Sequence, residues 1–260
     1  MSSIIERNLN KLKLCGIDCT YDRSGFQLNN ISRDREAFKI LEFVAKLKAN
    51  CLGECWWIYN VTLLKNMKQI GREAFAGCYN LENIEFGEEI KTLGYSCFAY
   101  TGLKRASLPD SVKIIGEGAF SFCTSLEKVR LGKELEKIQR SAFYETGLKC
   151  IHIPDSVKNI GAAAFTNCRS LEQVKFGTGI NKIEHCCFRN IGLGKVEIPS
   201  NVEIIGPEAF HSCKDLKEVK LSEGLREIQW GAFIDTSIRV LRFPESLKRI
   251  DDNAFSRIKS

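Results

Sequence analysis

One pattern of apolar and polar positions recurs along most of this chain. In a complete unit, Ile115 and Gly116 lead to Ala119 and Phe120, and Leu126 follows. Val129 and Leu131 then alternate with Lys128 and Arg130, and Leu135 and Ile138 return the chain inward. Alternation at every second residue predicts a short strand with one face in and one face out. The same skeleton returns as Leu81, Ile84, Phe86, Ile90 and Leu93, as Leu148, Ile151, Ile153, Val157 and Ile160, and as Leu216, Val219, Leu221, Leu225 and Ile228. A unit this short cannot bury its apolar side alone, so the pattern predicts stacked coils that close a shared core.

Phenylalanine marks the period. Phe75, Phe98, Phe120, Phe143, Phe165, Phe188, Phe210, Phe233 and Phe255 follow one another at alternating intervals of 23 and 22 residues. Such a strict period predicts a solenoid over residues 67–260, nine units with the last incomplete, and a separate cap over residues 1–66. A finer repeat of 45 residues lies within it. Cys78, Cys123, Cys168 and Cys213 follow every second phenylalanine, whereas Thr101, Thr146, Ile191 and Thr236 occupy that place between them. Pro109, Pro154, Pro199 and Pro244 alternate the other way, each where a strand should end, because proline has no N–H for a ladder.

Units such as Ile153 to Phe165 and Ile198 to Phe210 read Ile-Pro-(Asp/Ser)-(Ser/Asn)-Val-x-x-Ile-Gly-x-x-Ala-Phe. They are followed by Cys168 to Leu171 or Cys213 to Leu216. Over residues 67–260 the chain resembles the BspA-like leucine-rich repeats. The resemblance implies an α/β solenoid, a right-handed leucine-rich-repeat array with a parallel β-sheet on one face. It also implies a role in binding proteins, often at a cell surface, including adhesin-type binding of a host protein. The family has no shared catalytic residues to transfer.

The first 66 residues fall outside that resemblance. A helix is predicted near 3–14, with Ile5, Leu9 and Leu12 on one face and Gly16 as its stop. A second is predicted near 33–49, with Asp34 and Glu36 in its first turn and Lys46 and Lys48 in its last. Together with Cys51 to Leu64 lying over the first coil, they make a small α-rich N-terminal cap for the open end of the core. Cys15, Cys19, Cys51 and Cys55 offer four thiolates for a zinc site, the basis of an alternative metal- or thiol-active reading. Their three-residue spacers are not the usual ones, and packed thiols are the favoured reading. No cofactor is expected.

Function is expected on the outward strand positions, which form two columns. They hold seven Lys or Arg and three Glu: Arg105, Lys128, Arg130, Lys175, Lys195, Lys220 and Arg242 against Glu85, Glu197 and Glu218, with His152 among them. Residues 67–260 carry 28 basic and 25 acidic residues, so this face holds more than the whole surplus of the array. An acidic protein partner would be steered to it, although a solvated sheet needs charges in any case. Nucleic acid is disfavoured, because the columns lack aromatic residues for base stacking and the net charge of +6 is mild. Cys150 and His152 are the one pair with catalytic chemistry, but residues two apart on a strand project in parallel about 7 Å apart, so the chain reads as non-enzymatic.

The amino terminus has Arg7, Lys11 and Lys13 in place of an apolar run, and the most apolar stretch, Cys55 to Leu64, is too short to span a bilayer. That predicts a cytoplasmic protein without a membrane span, where the family resemblance implies the cell surface. At the other end only five residues follow Phe255, which leaves the Ile238 to Phe243 strand as an edge and predicts shielding, preferably by weak homodimerisation through the C-terminal coil.

Overall fold

In the computed structural model, residues 17–22, 25–31, 44–47, 49, 51–56, 58–63 and 65–258 are described. The repeated phenylalanine becomes one internal column. Phe75 through Phe233 are fully buried in sequence, and Phe255 packs on the last of them. Consecutive rings lie 5.2 to 5.6 Å apart between centroids, with interplanar angles of 2° to 16°. Each stacked pair adds about 0.5–1.5 kcal/mol beyond the area it buries.

Around this column each coil has three sides. The first carries a strand of three or four residues whose central residue points inward. Arg105–Ser107, Lys128–Arg130, Cys150–His152 and Gln173–Lys175 pair in parallel, as do Lys195–Ile198, Glu218–Leu221 and Val240–Arg242. The second side carries two-residue strands such as Ile114–Ile115 and Lys137–Ile138, also parallel and in register. The third is a tight turn around each phenylalanine, laddered by backbone bonds such as Phe120 N to Ala142 O at 2.8 Å. Residues two before and two after the phenylalanine adopt left-handed backbone, for example Ser141 at φ 51° and Glu145 at φ 57°. For ordinary residues that conformation costs on the order of 1 kcal/mol, and the turn ladder holds it in place.

Cysteine and threonine work together in this turn. Thr101 Oγ1 donates to its own coil's Phe98 O at 2.9 Å, and Cys123 Sγ of the next coil donates to the same carbonyl at 2.9 Å. Thr146 and Cys168 repeat the arrangement on Phe143 O. At Ile191 the hydroxyl is absent, and Phe188 O receives only Cys213 Sγ at 3.1 Å from these two positions. These thiols are therefore more than small apolar fillers. Burial pushes their pKa up, to about 11 for Cys123 and Cys168 and about 12 for Cys78 and Cys213, so they remain protonated donors.

The α-rich cap is not found. Among the described residues there is no helix, and the fold is a parallel β-solenoid rather than α/β. Val44–Leu47, inside the segment expected to be helical, is a strand that pairs in parallel with Gln69–Ile70. Gly25–Ile31 pairs with it in turn and forms an antiparallel hairpin with Ile17–Asp22. The helix expected over 3–14 lies outside the described residues. The physical reason is the open edge: an end coil presents unpaired N–H and C=O groups that added strands satisfy and a helix does not. Residues 51–56 and 58–63 also follow the array's geometry, with Leu52 N bonded to Ala74 O at 2.9 Å and Asn60–Thr62 parallel to Asn83–Glu85.

Both strand ladders lapse together at one place, and the first side's ladder also lapses between Asn83–Glu85 and Arg105–Ser107. No pairing joins Gln173–Lys175 to Lys195–Ile198, or Asn159–Ile160 to Lys182–Ile183, among the described residues. The turn side continues across the gap, with Phe165 N donating to Cys187 O at 2.9 Å and the two rings stacked at 5.3 Å. Phe165 thus holds two half-arrays together. Replacing it with Ala should cost about 3–5 kcal/mol through the cavity left behind. Chemical denaturation checks this, and a loss below about 1 kcal/mol would show that the ring column does not carry the core.

Candidate interaction face

Parallel pairing in register turns each outward strand position into a column that runs along the array. Arg105, Lys128, Cys150 and Gln173 are aligned in one, and Lys195, Glu218 and Val240 continue it beyond the lapse. Ser107 pairs with Arg130 and His152 with Lys175, while Glu197, Lys220 and Arg242 lie in line further on. All eight expected face residues are exposed on this side. Asn60 and Thr62 extend the columns by one coil. Asn83 Nδ2 donates to Asn60 Oδ1 at 2.8 Å, and Thr62 Oγ1 donates to Glu85 Oε2 at 3.2 Å. Their alternation with Val61 and Leu63, and the 23-residue offset from Asn83, are the signals that would have found them.

The cations of the face differ in how far they are neutralised. Arg130 Nη2 bonds Asp110 Oδ1 at 2.8 Å, and its Nη1 donates to Leu108 O at 2.8 Å, so this side chain is tethered. Lys220 Nζ meets Glu197 Oε1 at 2.5 Å. Arg105, Lys128, Lys175, Lys195 and Arg242 have no carboxylate within ion-pair distance among the described residues. Asp110 is itself held below the usual carboxylate range, first by the Lys133 backbone N–H and then by Arg130. Asp155, one double repeat later, is lowered by Thr178 N–H and its side chain. Folded values below the unfolded ones make both carboxylates stabilising above about pH 4, a contribution lost as pH falls through their folded values.

A depression of about 1130 Å3 on this side sits across the lapse. Lys175, Lys195, Lys217 and Lys220 border it together with Glu172, Glu197, Asp215 and Glu218, and Gly194 in its lining has open space where a side chain would point. From Glu82 to Glu172 the position just before each strand alternates in sign, with Glu82 paired to Lys104 at 2.7 Å and Glu127 to Lys149 at 3.0 Å, whereas Lys217 and Arg239 further on are both basic. Glu172 meets Gly194 instead of a lysine, and the alternation breaks there.

A profile of the family described as "BspA type Leucine rich repeat region" matches residues 45–172 and 136–260. The chain belongs to the BspA-type leucine-rich repeat family. Solved structures give the same fold. A leucine-rich cell surface protein of Faecalibacterium prausnitzii is 20% identical, with a TM-score of 0.58 over 94% of this chain and 86% of that one. A leucine-rich repeat protein from Bacteroides ovatus is 19% identical, with a TM-score of 0.57 over 93% and 91%. The pneumococcal vaccine antigen PcpA is 18% identical, with a TM-score of 0.60 over 93% and 79%. No curated protein matches the sequence. Leucine-rich repeats of this kind are in general protein-interaction modules and typically non-enzymatic.

The chemistry of other residues fits that role. Cys150 is exposed, and it and His152 face outward in parallel as expected of a strand. A thiol–imidazole contact does occur elsewhere, at 3.3 Å between Cys186 Sγ and His185 Nε2, beside the Arg189–Glu208 ion pair at 2.7 Å. No strand or spacing rule links these two neighbours in a turn, so the sequence carries no signal for the pair. Burial raises that thiol's pKa, which is the opposite of nucleophile activation. Among the described residues no group of three His, Cys, Asp or Glu is placed to hold a metal. Cys51 and Cys55 are buried, Cys15 lies outside the described residues, and nothing described supports the zinc reading. No described helix is long and apolar enough to cross a membrane. Ellman's reagent should lose one fast-reacting equivalent in Cys150→Ser and none in Cys123→Ser. An unchanged fast count in Cys150→Ser would remove that thiol from the solvent face.

Proposed function

We propose that this repeat array is a non-enzymatic interaction module that binds a protein partner with an acidic surface through its strand face. One observation carries the reading: Arg105, Lys128, Lys175, Lys195 and Arg242 present positive charge without ion-pair partners among the described residues, and two of them, Lys175 and Lys195, line the depression at Gly194. Arg105 and Lys128 face each other across the ladder about 5 Å apart and repel, and an acidic surface relieves that repulsion while gaining contact area. Nucleic acid fits less well, since no aromatic side chain lies in the columns.

Cys78, Cys123, Cys168 and Cys213 stand two coils apart, too far to bridge one another, so their free thiols fit a cytoplasmic and a cell-surface protein alike. Likeness to a cell surface protein favours host-protein adhesion. The proposal also includes weak homodimerisation through the last strands, where Val240, Phe243 and Ile250 are exposed apolar side chains. Light scattering over a concentration series should then show mass rising with concentration, and Val240→Lys should abolish the rise. A mass independent of concentration would remove the dimer from the proposal.

The face itself is tested by Lys128→Glu, Lys175→Glu and Lys195→Glu combined. Affinity pull-down from native lysate at low and high salt, with quantitative mass spectrometry, should lose the salt-sensitive partner while circular dichroism stays unchanged. Retention of the same proteins at the same salt dependence would exclude the strand face as the binding surface.

A further inference from the structure

The turn side carries a second surface of different chemistry. Tyr79 and Tyr100 are 62% and 47% exposed, and Phe122 and Tyr144 continue the row. Tyr100 and Phe122 stack face to face, 4.5 Å between centroids and 6° from parallel, and Tyr144 meets Phe122 edge-on at 5.3 Å. Tyr100 and Phe122 also adopt left-handed backbone, at φ 58° and 60°. Bulky residues are outliers in that conformation. The equivalent turns further along carry Glu145, Asn167, Asn190, Ser212, Asp235 and Arg257, polar side chains in place of rings. Two adjacent coils therefore hold partly or fully exposed rings on left-handed backbone where the coils that follow carry polar side chains, a combination that points to function.

The rings line two adjoining grooves. One, about 560 Å3, runs between Tyr79 and Tyr100 and is bordered by Glu54 and Glu73. The other, about 310 Å3, runs among Tyr79, Tyr100 and Phe122. Arg72 holds Glu73 at 3.1 Å, which leaves the Glu54 carboxylate at the groove's end open to a cation. The Tyr79 and Tyr100 hydroxyls make no side-chain hydrogen bond among the described residues, and both are available as donors.

We infer that this aromatic row is a docking site for a proline-rich peptide in the polyproline II conformation, with a basic residue at the Glu54 end. A polyproline II chain has three residues per turn and no internal hydrogen bonds, so its carbonyls are free to accept from tyrosine hydroxyls while its pyrrolidine rings fill aromatic grooves. The open carboxylate selects the flanking charge. This site is independent of the basic strand face, lies on another side of the coil and attracts the opposite charge.

Fluorescence polarisation with the whole chain tests it, using a labelled peptide of one arginine followed by eight prolines. A glycine–serine peptide of the same length and a version with glutamate in place of arginine serve as controls. Tighter binding of the arginine-led oligoproline by about tenfold or more over both is expected. The double variant Tyr100→Asn and Phe122→Asn should lose that margin while melting no lower than the parent, because asparagine suits the left-handed turn. Glu54→Gln should remove the preference over the glutamate version, and Lys128→Glu should leave oligoproline binding unchanged. Equal binding of all three peptides, an unaffected double variant, or retention of glycans rather than oligoproline by these residues on an array would overturn the assignment.

Discussion

The stacking distance of the phenylalanine column is the constraint on which the other features depend. Neighbouring strands in a sheet lie about 4.8 Å apart, and offset aromatic rings prefer centroids about 4.5–7 Å apart. Rings at 5.2 to 5.6 Å satisfy both with one coil rise. Each coil can then place its backbone in ladder register and its ring in van der Waals contact without compromise between the two. The double-donor arrangement on Phe98 O and Phe143 O belongs to the same constraint, since a thiol of one coil reaches the carbonyl of the last only at this rise.

Register at this rise makes every outward position a column, and columns force a choice of charge. Where the chain alternates sign, as in Glu82, Lys104, Glu127 and Lys149, neighbours pair at 2.7 and 3.0 Å. Such exposed pairs are each worth only about 0–1 kcal/mol, so stability is not their main consequence. What matters is the contrast. Arg105 sits directly opposite Lys128, and like charges facing across a ladder are destabilising. A chain that can alternate signs in one column and does not in the next leaves that repulsion for a partner to relieve, which is why the unpaired cations weigh more than the paired Arg130 and Lys220.

The array was legible in the sequence because a strict period carries its own proof: apolar alternation, phenylalanine spacing and proline placement all agreed on stacked coils. The face columns followed from alternation alone. The cap was misread because Asp34, Glu36, Lys46 and Lys48 suit a helix dipole, whereas the demand of an open strand edge is set by a neighbour distant in sequence and leaves no local mark. Thiol hydrogen bonding was invisible for a similar reason, as Cys123 and Phe98 are 25 residues apart. The aromatic row escaped notice because Tyr79, Tyr100, Phe122 and Tyr144 do not share one repeat position; they converge only in the folded turn.

A solenoid separates what stabilises it from what it displays. Core phenylalanines, inward strand residues and the turn ladder fix each coil against its neighbours, and outward positions are left free to vary from coil to coil. That freedom explains how left-handed Tyr100 and Phe122 are tolerated. Tyr100 N donates to Ser121 O at 2.9 Å and Phe122 N to Tyr144 O at 2.8 Å, so the turn ladder imposes the backbone whatever side chain it carries. The lapse between Gln173–Lys175 and Lys195–Ile198 uses the same freedom differently. There the two strand sides give up their ladders, and the ring column and turn side alone maintain continuity. The depression lies over that lapse, and its lining mixes four lysines, Lys175, Lys195, Lys217 and Lys220, with the carboxylates of Glu172, Glu197, Asp215 and Glu218.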